Sequence, residues 1–153
     1  MKIEGTYEIH APRERVFQAL TDPEILQKTI PGCERMEKTG ENKYNATLSA
    51  GVGPIKGVFT ATVAIENMTP PSNYRLVVEG KGQPGFIKGS GDLVLEEQNG
   101  NTLIRYTGNV QVGGMLASVG QRMIESTAKL LASKFFSALD AEVRSSSSKT
   151  GAA

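Results

Sequence analysis

VGGMLASVGQRMIESTAKLLASKFFSALDAEVR, residues Val112 to Arg144, is where the chain changes character. Upstream, apolar residues tend to recur at every second position. Past Gly113-Gly114 they recur at helical spacing, with Leu116, Val119, Met123, Thr127, Leu130 and Leu131 on one broad face, widened by Ile124, Phe135, Ala138 and Leu139. This predicts one helix from Met115 to about Arg144, roughly 28 residues and about 40 Å long. Leu130, Leu131 and Leu139 are its expected core residues.

Working back from that helix, strand-like segments recur near 34–39, 44–50, 58–67, 74–81, 87–97 and 102–112. They are separated by turn chemistry at Thr39-Gly40-Glu41-Asn42, Pro70-Pro71-Ser72-Asn73 and Gln98-Asn99-Gly100-Asn101. At the N-terminus Ile3, Gly5, Tyr7 and Ile9 alternate with Lys2, Glu4, Thr6 and Glu8, the period of a strand with one wet face. Pro12 and Thr21-Asp22-Pro23 then open two short helices within residues 12–28. Strand, two small helices, six more strands and a long helix make an α+β helix-grip fold, a curved antiparallel sheet of about seven strands wrapped around the C-terminal helix. Residues 1–144 form one ligand-binding domain, and the serine run that begins 145–153 reads as a flexible tail.

The 17 basic and 16 acidic side chains nearly cancel, so composition provides no strong field for nucleic acid or an anionic membrane. Cys33 is the sole cysteine, and the N-terminus lacks the apolar run of a signal peptide, so a cytoplasmic location is expected. No stretch approaches the 18 or so apolar residues of a membrane-spanning helix.

If the apolar parity of each strand faces the helix, the inner wall comprises Tyr44, Ala46, Leu48, Phe59, Ala61, Val63, Ile65, Tyr74, Leu76, Val78, Ile87, Leu93, Leu95, Ile104, Tyr106 and Val110. The same parity carries Gly80, Gly89, Gly91 and Gly108, which either leave room for a ligand or permit the bends of a coiled sheet. No acid, base or histidine falls on the inward parity, so a general acid or base has no evident seat. Tyr74 and Tyr106 are the better candidates for orienting a ligand oxygen by one hydrogen bond, and Tyr7 and Tyr44 read as core. An enzyme of the cyclase or dehydratase kind would need Glu66, Arg75 or Arg105 turned inward.

Three motifs are set aside. Gly80-Lys81-Gly82-Gln83-Pro84-Gly85 matches a dinucleotide fingerprint in spelling but leads into another strand instead of a helix. Gly51-Val52-Gly53-Pro54-Ile55-Lys56-Gly57 lacks the ending of a phosphate loop, and reads as a cavity lid, a docking surface or an ordinary glycine-rich hairpin. His10 and Cys33, far apart, do not make a metal site, and Glu34 disfavours a reactive Cys33 thiolate.

Ile30-Pro31-Gly32-Cys33-Glu34, Gly51 to Gly57, Gly85-Phe86-Ile87-Lys88-Gly89-Ser90-Gly91 and Val112 to Ile124 together resemble the G-subunit family of carbon monoxide dehydrogenase, a branch of the START-like, polyketide-cyclase-like superfamily, over residues 1 to about 144. The resemblance implies a non-catalytic accessory to carbon monoxide dehydrogenase or a related molybdenum hydroxylase. Molybdenum cofactor, iron-sulfur clusters and flavin would belong to that enzyme. It implies recruitment to the inner face of the cytoplasmic membrane by peripheral contact. Some longer members carry a hydrophobic C-terminal extension, whereas this sequence stops just after its serine run. Joined to the cavity reading, it implies a lipophilic ligand, a respiratory quinone such as menaquinone, with no covalent cofactor, metal or nucleic acid. The isoprenoid tail would lie over Leu116, Gly120, Met123, Ile124 and Thr127. The facing wall would be Phe59, Ala61, Tyr74, Leu76, Gly80, Phe86, Gly89, Gly91, Tyr106 and Gly108. A docking adaptor whose cavity is a by-product of folding, and a cyclase-like enzyme, are the alternatives.

Overall fold

Alternating apolar and polar residues give seven strands, and the helical period gives the elements that cover one of their faces. The computed structural model describes the backbone of residues 1–152 and the side chains of residues 1–144. Strand β1 (Lys2–Ile9) leads into α1 (Arg13–Leu20) and α2 (Pro23–Thr29). Strands β2 (Cys33–Gly40), β3 (Lys43–Val52), β4 (Ile55–Thr69), β5 (Asn73–Gly82), β6 (Gly85–Gln98) and β7 (Asn101–Gly113) follow, then a 3-10 helix (Gly114–Val119) and α3 (Gln121–Ala152). The tail expected at 145–153 lies outside the residues whose side chains are described. Asp22 caps α2 by accepting the Glu24 N–H at 2.9 Å, with Pro23 in the first turn where its missing N–H costs nothing.

The strands form one antiparallel sheet in the order β1-β7-β6-β5-β4-β3-β2, so β1 closes onto β7 and the rest is a meander. This is the expected helix-grip architecture. The core lies towards one end, where Tyr74, Leu93, Leu95 and Ile104 of the sheet meet Val16, Phe17 and Leu20 of α1 and Phe136, Leu139 and Val143 of α3. Each such side chain contributes about 1.5–3 kcal/mol when fully buried. Among the described residues no helix is long and apolar enough to cross a membrane.

Two expectations about the long helix are corrected. It does not run unbroken from Met115, because Gly120 has φ 93°, which a right-handed helix cannot contain, and α3 starts only at Gln121. Leu130 is 54% exposed instead of core. The buried line of α3 is Phe136, Leu139 and Val143, and Leu130 lies roughly half a turn around the axis from Leu139.

Candidate functional site

Helix α3 has two unlike halves. No residue from Gln121 to Phe135 is buried, whereas Phe136, Leu139, Asp140 and Val143 all are. The sheet opposite the first half is equally incomplete, with inward-facing Leu48, Val63, Leu76, Val78, Ile87, Val110 and Val112 only half-buried. Apolar side chains left partly accessible on both sides of a helix–sheet interface describe a groove between them.

The register explains why the groove exists. Across the inner face one rung reads Ala46, Ala61, Gly80 and Ile87, the next Val63, Val78, Gly89 and Val110, and the next Leu76, Gly91 and Gly108. Small residues thus form a band across five neighbouring strands, β3 to β7. The glycines in it play two different parts. A Cβ at Gly80 would meet Ala61 Cβ at 3.6 Å, and one at Gly89 would meet the Asn109 carbonyl oxygen at 3.7 Å, both ordinary contact distances. These two positions leave room. At Gly108 a Cβ would come within 2.9 Å of the Ser90 carbonyl oxygen, and at Gly91 within 3.1 Å of that of Thr107. Those two face each other in register and allow the close backbone approach of a coiled sheet.

The sequence-predicted residues divide accordingly. Ala61, Leu76, Gly80, Gly89, Gly91 and Gly108 line the band, and Phe59 is buried one rung nearer the β3–β4 tip. Ile124 and Thr127 are half-buried on the first half of α3, and Leu116, 1% exposed, is pinned where its N–H donates to the Pro84 carbonyl at 3.0 Å. Met123 is 42% exposed, and its sulfur lies where a Cβ on Gly53 would meet it at 2.5 Å, so the β3–β4 tip rests on the start of α3 at the mouth of the groove. Tyr106 covers Gly5 and stacks on Phe136 at 5.4 Å, on the border between core and groove. Tyr74 sits deeper, edge-on to Phe17 at 5.7 Å, and burial pushes its phenol far above its ordinary value. Tyr74 thus belongs to the core, and two further residues are not brought to this group. Phe86 falls on the outward parity, where the Lys88 ammonium lies 5.9 Å from its ring. Gly120 is exposed at the helix break with no atom near its would-be side chain, so a larger residue there would be strained and would not fill the groove.

The wall is poor in acid–base chemistry. Along β1 and β3 to β7, the one Asp, Glu, His, Lys or Arg on the inward parity is Glu97, exposed at the far end of β6. Glu66 is exposed, Arg75 pairs with Asp92 at 3.4 Å and Arg105 with Glu96 at 2.9 Å, all on the outer face. On the groove half of α3, Glu125 is engaged by Lys129 at 3.1 Å. Cys33 donates to the Arg35 carbonyl at 3.4 Å, and burial raises its thiol, against reactivity. Among the described residues no group of three or more His, Cys, Asp or Glu is placed to hold a metal. Two open depressions, about 620 and 470 Å³, lie on the outer face of the sheet. The larger one mixes Thr60, Thr62, Glu79 and Lys88 with Phe86 and Ile87, and its charged groups do not suit a wholly lipophilic guest.

The family model for the G subunit of carbon monoxide dehydrogenase (CoxG) matches residues 5–144, nearly the whole chain. The chain belongs to that family. A conserved protein from Geobacillus kaustophilus is 38% identical in a solved structure, with a TM-score of 0.91 over 95% of this chain and 97% of that one. A START superfamily protein from Mycobacterium smegmatis is 12% identical with a TM-score of 0.71, covering 94% of this chain and 97% of that one. The ZhuI aromatase/cyclase from a Streptomyces species is 14% identical with a TM-score of 0.71, covering 94% and 93%. These two show the fold alone. No curated protein sequence matches the chain.

In this CoxG-family chain one polar residue was not legible in advance. Asp140, 8% exposed on α3, accepts the His10 backbone N–H at 2.7 Å and faces His10 Nδ1 at 3.1 Å, while His10 Nε2 faces Glu8 at 3.1 Å. The available signal was its place between Leu139 and Val143 on the buried stripe, where an acid must have a partner. It ties the end of β1 to α3 at the packed end, away from the groove.

Proposed function

We propose that this protein is a ligand-binding accessory of a molybdenum-containing carbon monoxide dehydrogenase, holding an isoprenoid quinone of the menaquinone kind between α3 and the sheet and linking the enzyme to membrane electron transport from the cytoplasmic side. The observation that carries the reading is the band Ala46, Ala61, Gly80, Gly89, Gly91 and Gly108 set opposite a helix half with no buried residue. A chain that only needed a core would fill that space with larger side chains. The apolar lining favours a greasy guest, and the scarcity of ionisable groups on it favours binding over turnover. The family name supplies the enzyme partner.

Extraction of freshly purified protein with organic solvent, followed by mass spectrometry and quinone rebinding, tests this. Wild type should take up one equivalent, and Gly89→Leu, which puts a side chain where a Cβ fits, should fold normally and lose it. A clean extract with no rebinding would replace this reading with the docking adaptor.

A further inference from the structure

The sheet ends in β1 on one side and β2 on the other, and only β2 is closed off. The Met36 N–H of β2 donates to the Gln27 Oε1 of α2 at 3.1 Å, and register shifts break the pairing of β2 with β3. A capped N–H and an irregular ladder both keep a strand edge from adding another strand. Strand β1 has neither, and it pairs with β7 without a shift from Lys2 to Ile9. Met1 and Val110 exchange both of their N–H···O bonds, at 2.8 and 2.9 Å. By alternation the odd residues of β1 therefore turn their main-chain groups to β7, and Lys2, Glu4, Thr6 and Glu8 turn theirs to the open side. Among the described residues no backbone or side-chain group outside β1 takes up those N–H and C=O groups. The side chains of the same four residues are exposed on the outer face of the sheet.

We infer that β1 pairs with β1 of a second copy of this chain, antiparallel about a two-fold axis at Gly5, and so joins two sheets into one. In that register the strand is complementary to itself. Lys2 stands opposite Glu8 of the second copy, twice by symmetry, Glu4 stands opposite Thr6, and no like charges meet. These are also the residues whose main-chain groups point to the open side, so they make the hydrogen-bonded pairs. Sliding by two residues sets Glu4 against Glu4 of the second copy in one direction and against its Glu8 in the other. Sliding by one sets outer-face side chains against inner-face ones. On the inner face half-buried Ile3 meets Tyr7 of the second copy, an aromatic–β-branched pair. Gly5, covered by Tyr106, brings no side chain to the axis. Within one copy Lys2 has only an exposed contact with Glu4 at 3.7 Å, which leaves it free to reach across. One strand pair buries less than a standard interface, so the dimer is weak and concentration-dependent. Because β1 pairs antiparallel with its copy, the two grooves open in opposite directions.

Sedimentation velocity of the full chain over a concentration series, at about 0.1 M salt so that exposed pairs are not fully screened, tests it independently of any ligand. Wild type should show a monomer–dimer equilibrium. Thr6→Pro removes an N–H that faces the open side and leaves the ladder to β7 whole, so it should keep the wild-type circular dichroism and stay monomeric. Lys2→Glu sets Glu against Glu8 and Glu8→Lys sets Lys against Lys2, and each should weaken the dimer about tenfold. An equimolar mixture of these two variants restores opposite charges at both sites and should dimerise about as tightly as wild type. A wild type that is monomeric at every concentration, a dimer that Thr6→Pro leaves intact, or a mixture no tighter than its components would overturn the inference.

Discussion

Asp140 and His10 join the two ends of the sequence at the packed end of the fold, and their geometry sets a measurable cost. With Asp140→Ala, the His10 N–H loses its carboxylate acceptor in a partly buried place, which costs about 1–2 kcal/mol. Asp140→Asn keeps an acceptor and should cost less. Urea denaturation midpoints read both, and an Ala variant as stable as wild type would remove the clamp. Tyr74 gives a second residue-scale prediction. Burial raises its folded pKa above the unfolded value of 10.0, so the neutral phenol stabilises the fold fully below about pH 10, and that stability is lost as pH rises beyond it. Thermal unfolding followed from pH 9 to 12 should show wild type losing more stability at the alkaline end than Tyr74→Phe; parallel curves would contradict it. That depth also makes Tyr74 a core residue, and of the two tyrosines expected to meet a ligand only Tyr106 borders the groove.

Among the elements, α3 shows best how one sequence pattern can serve two ends. Its second half is anchored by Phe136, Leu139 and Val143, while its first half, beginning at the Gly120 break, has only half-buried and exposed residues. Local opening is easiest where few apolar contacts hold an element, so amides of residues 124–134 should exchange with deuterium faster than those of 136–143. A bound lipophilic ligand should slow the first group selectively. Uniform protection along the helix would mean that the groove is filled by the protein's own side chains. The sheet divides labour similarly. The strand glycines left two roles open in the sequence, and the register assigns room to Gly80 and Gly89 and backbone crossing to Gly91 and Gly108.

For the molecule as a whole, the alternation of the strands, the turn residues between them and the switch of period after Gly113-Gly114 determined the fold, because a period of two or of 3.6 states which side of each element must be dry. The same parity put Glu66, Arg75 and Arg105 outside, and the four motifs named the family. Tertiary structure alone decided where the helix begins, since the sequence pattern cannot display a positive φ at Gly120. It alone turned Leu130 away from the interior, through the rotation of α3, whereas Phe86 lies outside by the same alternation that puts Ile87 inside. Periodicity is local and survives in a string of letters; the meeting of segments distant in sequence is set by strand register and helix placement, which exist only after folding.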